Sequence, residues 1–127
     1  MKFIETEHGP KAVGPYSQGT MVGVTLYVSG QIPMVPETLT LISDDIRRQT
    51  RQCLENVLYV VEASGLSKND IVKCTVFMTN IKDFSAMNEV YAEFFGDHKP
   101  ARTTAEVSGM PRNVQIEIEA IAVRPVI

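Results

Sequence analysis

Histidine and cysteine are scarce in this 127-residue chain, two of each, and the scarcity removes several chemistries at once. His8 and His98 stand far apart in loop-like surroundings, with no cysteine or second histidine at ligand spacing, so no structural or catalytic metal is expected. A Ser-His-Asp or Cys-His nucleophile is not favoured either. Cys53 and Cys74 lie inside apolar-periodic segments rather than in a loop or at a helix start, and they read as reduced core thiols.

Other absences narrow the choice further. No GxGxxG or GxxxxGK[ST] loop occurs, so a nucleotide cofactor is not expected. Lysine and arginine form no cluster and the formal net charge is −3, so the chain has no phosphate-tracking surface and nucleic acid is not an expected partner. The start "MKFIETEHGPKAV" has no apolar run of signal-peptide length, and nowhere do about 18 uncharged apolar residues follow one another. A cytoplasmic protein that does not touch a membrane is expected.

What is present is an ordinary globular balance, 44% hydrophobic and 21% charged, in one domain spanning residues 1–127. A chain of this size can bury about two-thirds of its unfolded surface. "KFIE", "TMVG" and "LYVSGQ" read as strands, the last two paired across a tight turn near Gly23. A long loop, "GQIPMVPETLTLIS", is punctuated by Pro33 and Pro36. Ser43 reads as the N-cap of a helix with Asp44 and Asp45 in its first turn and a stripe of Ile46, Cys53, Leu54, Val57, Val60 and Val61, ending at Gly65.

Next, "DIVKCTVFMT" alternates with Val72, Cys74, Val76 and Met78 on one face. A second helix runs from near Asp83 to Gly96, its stripe of Phe84, Met87, Tyr91, Phe94 and Phe95 read as core. Pro100 then opens a strand in which Arg102, Thr104 and Glu106 point one way and Thr103, Ala105 and Val107 the other. The last strand, "VQIEIEAIAVR", turns Val114, Ile116, Ile118, Ala120 and Ala122 to one face. The order βββαβαββ predicts an α+β domain, a single mixed sheet of about six strands with two helices packed on one face.

The uncovered face of that sheet is expected to carry Lys73, Thr75, Phe77, Arg102, Thr104, Glu106, Gln115, Glu117, Glu119, Ile121 and Val123. Water alone does not call for the apolar members of this set, and a monomeric core does not accept its charges unpaired. A homo-oligomer that buries this face fits both, the alternative being a monomer with a half-solvated sheet. Arg102 is suited to a carboxylate ligand, and a partly desolvated Glu117 to proton transfer. Spacing alone fits equally well a structural ion pair of Arg102 with Glu106, Glu117 or Glu119.

Four segments, "VGPYSQG", "VSGQIP", "IVKCTVFMTNIKDFSAMNEVYAEFF" and "PARTTAEVSGMPRNVQIEIEAIAVR", resemble the RidA (reactive intermediate deaminase A) family in residues and in spacing. The resemblance implies chorismate-mutase-like subunits in a homotrimer, the sheets forming a central barrel, with a site in each cleft between subunits. It implies hydrolysis of 2-imino and enamine acids such as 2-iminobutanoate and 2-iminopropanoate to 2-oxo acids and ammonia, without a cofactor. On the matching positions, Arg102 would grip the substrate carboxylate and Glu117 would activate water, while Tyr16, Ser29, Gly30, Asn88 and Thr104 would line the pocket. Three features depart from the family's pattern: Thr104 stands where many members have cysteine, "ETLTLIS" follows Pro36 where a glycine-bearing turn is usual, and His98 to Pro100 is shorter. Such changes fit either a shifted substrate range or a noncatalytic small-carboxylate sensor or regulatory protein on the same scaffold. A ribonuclease role is disfavoured by the acidic balance.

Overall fold

Strand pairing sets the architecture, and it begins locally. In the computed structural model, which describes residues 1–125, β1 (Lys2–Ile4) pairs antiparallel with β2 (Gly19–Val22), which turns into β3 (Thr25–Gln31). Gly23 in that turn has φ +59°, a left-handed conformation open to glycine without steric cost. The sheet has six strands in the order β1-β2-β3-β8-β6-β7, where β6 is Ile71–Met78, β7 is Ala101–Glu106 and β8 is Ile116–Val123. All neighbours are antiparallel except β6 and β7, which are parallel. Parallel strands need a crossover, and α2 (Phe84–Phe95) supplies it. With α1 (Ile46–Ala63) it covers one face of the sheet, the mixed α+β arrangement expected.

The core lies between that face and the helices. Leu26, Cys74, Val76, Met78, Ile116, Ile118 and Ala122 are fully buried from the sheet side, as are Cys53, Leu54, Val60 and Val61 from α1. Both cysteines are free and buried. At Gly19 the helix approaches the strand so closely that a Cβ would lie 2.8 Å from Val60 Cγ1. Among the described residues, no helix is long and apolar enough to cross a membrane.

Four details differ from the expectations. First, α1 is capped by Asp45, not Ser43: its extended backbone lets the carboxylate accept the N–H groups of Arg47 and Arg48 at 2.9 and 3.4 Å. Second, the long loop contains a two-stranded ladder, β4 (Met34–Val35) against β5 (Thr40–Leu41). Leu39 closes its turn at φ +58°, in the segment where the RidA pattern usually has a glycine-bearing turn. Third, a register shift between Ile71 and Lys73 puts Ile71 into the core and leaves Val72 45% exposed.

The fourth difference matters most. Parallel register sets Arg102 opposite Cys74, Thr104 opposite Val76 and Glu106 opposite Met78, so these three share the helix-covered face and Thr103 takes the open one beside Thr75. Alternation groups residues along a strand without saying which group faces in, and a one-residue offset reverses every side chain. The open face keeps the expected mixture in Lys73, Thr75, Phe77, Glu117, Glu119 and Ile121.

Two buried amides tie irregular segments down. Gln18 accepts from Thr6 N–H at 2.6 Å and donates to the Thr6 and Pro10 carbonyls. Asn56 donates to the carbonyls of Ile32 and Met34 at 3.1 and 2.9 Å, fastening the β4–β5 hairpin to α1. Gln49, also wholly buried, has neither amide atom partnered. Asn56→Leu removes both bonds, leaving the Ile32 carbonyl only its Met34 N–H, and should cost about 1–3 kcal/mol in urea denaturation, whereas Gln49→Met removes an unpaired group and should be neutral or stabilising. A large loss in Gln49→Met would mean that its amide is satisfied by bound water.

Candidate functional site

Arg102 is placed by three constraints. Pro100 keeps Lys99 extended, the parallel ladder fixes the register of β7, and α2 passes beside this edge of the sheet. Its guanidinium meets residues 84, 88 and 91, spaced i, i+4 and i+7 along one stripe of α2. Nη1 donates to Asn88 Oδ1 at 2.7 Å. The guanidinium carbon lies over the Tyr91 ring, 4.7 Å from its centroid, and 5.5 Å from that of Phe84. The ion pairs among the described residues are Arg47–Glu89 and Arg51–Glu93, so the charge of Arg102 is not compensated by an acid. A structural pairing with Glu106 is also replaced: that carboxylate accepts the N–H of Ile81 at 2.8 Å.

Thr104, two residues further along the same face, has a buried hydroxyl without a partner. Beside Arg102 opens a cavity of about 310 Å³ lined by Tyr91, Phe95, Gly96, His98 and Lys99 among others. Among the described residues, no carboxylate contributes to that lining.

Glu117 belongs to a second cluster on the open face of the sheet. Its carboxylate lies against the backbone of Gly30, where a Cβ would come within 2.7 Å of Glu117 Cδ. Only glycine leaves that space. Burial pushes the Glu117 carboxyl above the ordinary glutamate range, and the neighbouring Glu119 pushes it the same way. Gly30 itself falls in the irregular stretch of the β3–β8 ladder between Val28 and Gln31. Next to it, Ser29 donates its hydroxyl to the Ser17 carbonyl at 2.5 Å and its N–H to the Gln18 carbonyl at 2.9 Å. These bonds pin the Gly14–Gln18 turn to β3, and Tyr16 stands on that turn, 54% exposed.

The residues singled out in the sequence therefore fall into two groups. Asn88 joins Arg102 directly, with Thr104 further along β7; Gly30 joins Glu117, with Ser29 and Tyr16 beside them. One chain does not bring the groups together, because Arg102 faces the helices opposite Cys74 while Glu117 faces away from them opposite Phe77. Phe84 and Tyr91 were read only as core. Their spacing around Asn88, on the helix leading to the arginine strand, is the signal that could have marked them. Chemically, a guanidinium with donors to spare suits a carboxylate, and a carboxyl whose pKa is raised by burial is a stronger base than a free one and suits proton transfer.

Fold and site together define a class: α+β proteins with a six-stranded sheet that carry, on one face, an arginine without an acid partner and, on the other, a partly desolvated carboxyl. The model of the family described as endoribonuclease L-PSP matches residues 6–124, and the chain belongs to that family. It is 52% identical to a RutC family protein of Pyrococcus horikoshii over 121 residues, 95% of this chain and 96% of that protein. It is 49% identical to the 2-iminobutanoate/2-iminopropanoate deaminase of Salmonella typhimurium over 126 residues, 97% and 98% of the two chains. The crystal structure of E. coli TdcF with bound serine superposes with a TM-score of 0.94 at 47% identity, covering 98% of this chain and all of that one.

A pH effect follows from Glu117. Its folded pKa lies above its unfolded one, so folding favours the neutral form, and the stability this gives is present at low pH and lost as pH rises through the folded value. Glu117→Gln keeps the shape without the charge. It should melt above the wild type at pH 8, the difference shrinking on acidification and vanishing below about pH 4. Equal melting temperatures across that range would contradict the desolvated carboxyl.

Proposed function

We propose that this protein hydrolyses small 2-imino acids and their enamine tautomers, 2-iminobutanoate and 2-iminopropanoate among them, to 2-oxo acids and ammonia. The sites would lie between the subunits of a homotrimer. One observation carries the reading: Arg102 is held with no acid to neutralise it, while Glu117 sits on the other side of the same sheet. A second copy of the chain would supply the missing half.

In the proposed reaction, the free edge of the Arg102 guanidinium takes the substrate carboxylate in two parallel hydrogen bonds. That fixes the imine carbon beside a water held by Glu117 and the Thr104 carbonyl. Glu117 accepts a proton as the water oxygen bonds to carbon, and the C=N pair moves to nitrogen. That proton passes to nitrogen to give the carbinolamine; Glu117 then takes the hydroxyl proton and delivers it to the same nitrogen as C=O forms, the C–N bond breaks and ammonia leaves. One water is consumed and charge is unchanged. Ser29 and Gly30 would wall the pocket, with Tyr16 and Asn88 at its margins.

The deaminase name of the Salmonella relative supports this reading. So does the serine in TdcF, since a 2-amino acid carries its nitrogen and carboxylate in the layout of a 2-imino acid. The net charge of −3 weighs against RNA as substrate.

The test is release of 2-oxo acid and ammonia from imine generated in place by an amino-acid oxidase, in a buffer where spontaneous hydrolysis is slow. Arg102→Ala should raise KM steeply and Glu117→Ala should lower kcat by about 100-fold or more. A wild type with no activity that still needs Arg102 to bind 2-oxo acids would instead be a sensor on the same scaffold. A monomer at micromolar concentration in sedimentation would rule out the inter-subunit site.

A further inference from the structure

We infer that Tyr91 is a positioning residue for Arg102, and that it acts through the face of its ring rather than through its hydroxyl. The inference rests on the reading of Arg102 as the carboxylate grip. An arginine on an edge strand carries much rotamer freedom, and the usual way to restrain it is an acid. An acid here would also cancel the charge that a carboxylate ligand needs. The rings of Tyr91 and Phe84 restrain the guanidinium without neutralising it, because a π face attracts a cation from above while the in-plane N–H donors stay available. Asn88 takes one donor of Nη1 and sets the rotation of that plane.

Tyr91 is itself immobilised. It is 7% exposed, and its ring packs on Phe95 at 4.9 Å between centroids. Phe95 is braced in turn by Phe94 at 5.1 Å and by His98 at 5.9 Å, and a His98 ring nitrogen is 2.7 Å from the Ile71 carbonyl. This chain of rings gives the platform a fixed height. The hydroxyl, by contrast, is buried beside the Cys74 thiol, a weak partner at most, and away from any strong acceptor or donor. It makes no bond to Arg102.

The experiment compares pyruvate binding by calorimetry with steady-state kinetics on a 2-imino acid for the wild type, Tyr91→Phe, Tyr91→Leu and Arg102→Ala. Tyr91→Phe should stay within about twofold of the wild type in Kd and KM. Tyr91→Leu should raise both by about 5- to 30-fold with kcat little changed, since the Glu117 half is untouched. Tyr91→Met, which refills the volume without a ring, repeats the test if the leucine variant does not fold. A folded ringless variant with wild-type Kd would overturn the inference, and so would a phenylalanine variant as weak as the ringless one. If Arg102→Ala binds pyruvate like the wild type, the grip assignment fails and this inference with it. If Arg102→Ala loses binding and the ringless variants do not, only the inference fails.

Discussion

The parallel pairing of β7 with β6 is the constraint on which the other features depend. Antiparallel neighbours could have been joined by a short turn, but two parallel strands require the chain to cross back, and the crossing segment is α2. The helix therefore lies against the edge where β7 starts, and its inward stripe meets whatever β7 turns toward it. Register makes that residue Arg102. The same pairing sends Thr103 rather than Arg102 to the open face, so the positive group and the Glu117 carboxyl end up on opposite sides of one layer.

Each cluster is unusual for a single chain. A half-buried guanidinium normally finds a carboxylate, and here it finds an amide and two rings. A glutamate on a sheet normally reaches water, and here it leans on a glycine backbone with another glutamate nearby. Such arrangements are tolerated where something else completes them. The open face points the same way, since it keeps Phe77 and Ile121 beside Lys73, Glu117 and Glu119 without a helix to cover them.

Much of the fold was legible because burial writes a period into the chain. Cys53, Leu54, Val57, Val60 and Val61 follow the helical repeat, and Cys74, Val76 and Met78 follow the strand repeat; all are core. The misreadings have local causes. Val72 and Ile71 exchange places at a register shift that leaves no residue signature. In β7 the more apolar residues, Thr103 and Ala105, face outward while Arg102, Thr104 and Glu106 face the helices, so hydropathy pointed to the wrong inward face. Asp45 outcompetes Ser43 as a cap because it stands next to the first helical turn. For the site, the sequence contained every residue type that matters, and resemblance to a family attached roles to them. It did not tell which would be neighbours: that Asn88 meets Arg102, and Gly30 meets Glu117, depends on long-range register.

The contact between Gly30 and Glu117 has a consequence for how this architecture can diversify. The carboxyl lies against main chain, which has no rotamers to change, and any side chain at residue 30 would push it out of place. The guanidinium is located by side chains on a helix and by the segment from Gly96 to Pro100, all of which can be exchanged one at a time. Drift in the lineage should therefore be uneven. Positions around the arginine can explore new shapes while the carboxyl keeps to the backbone beside it, so that variants should differ around residue 102 far more readily than around residue 117.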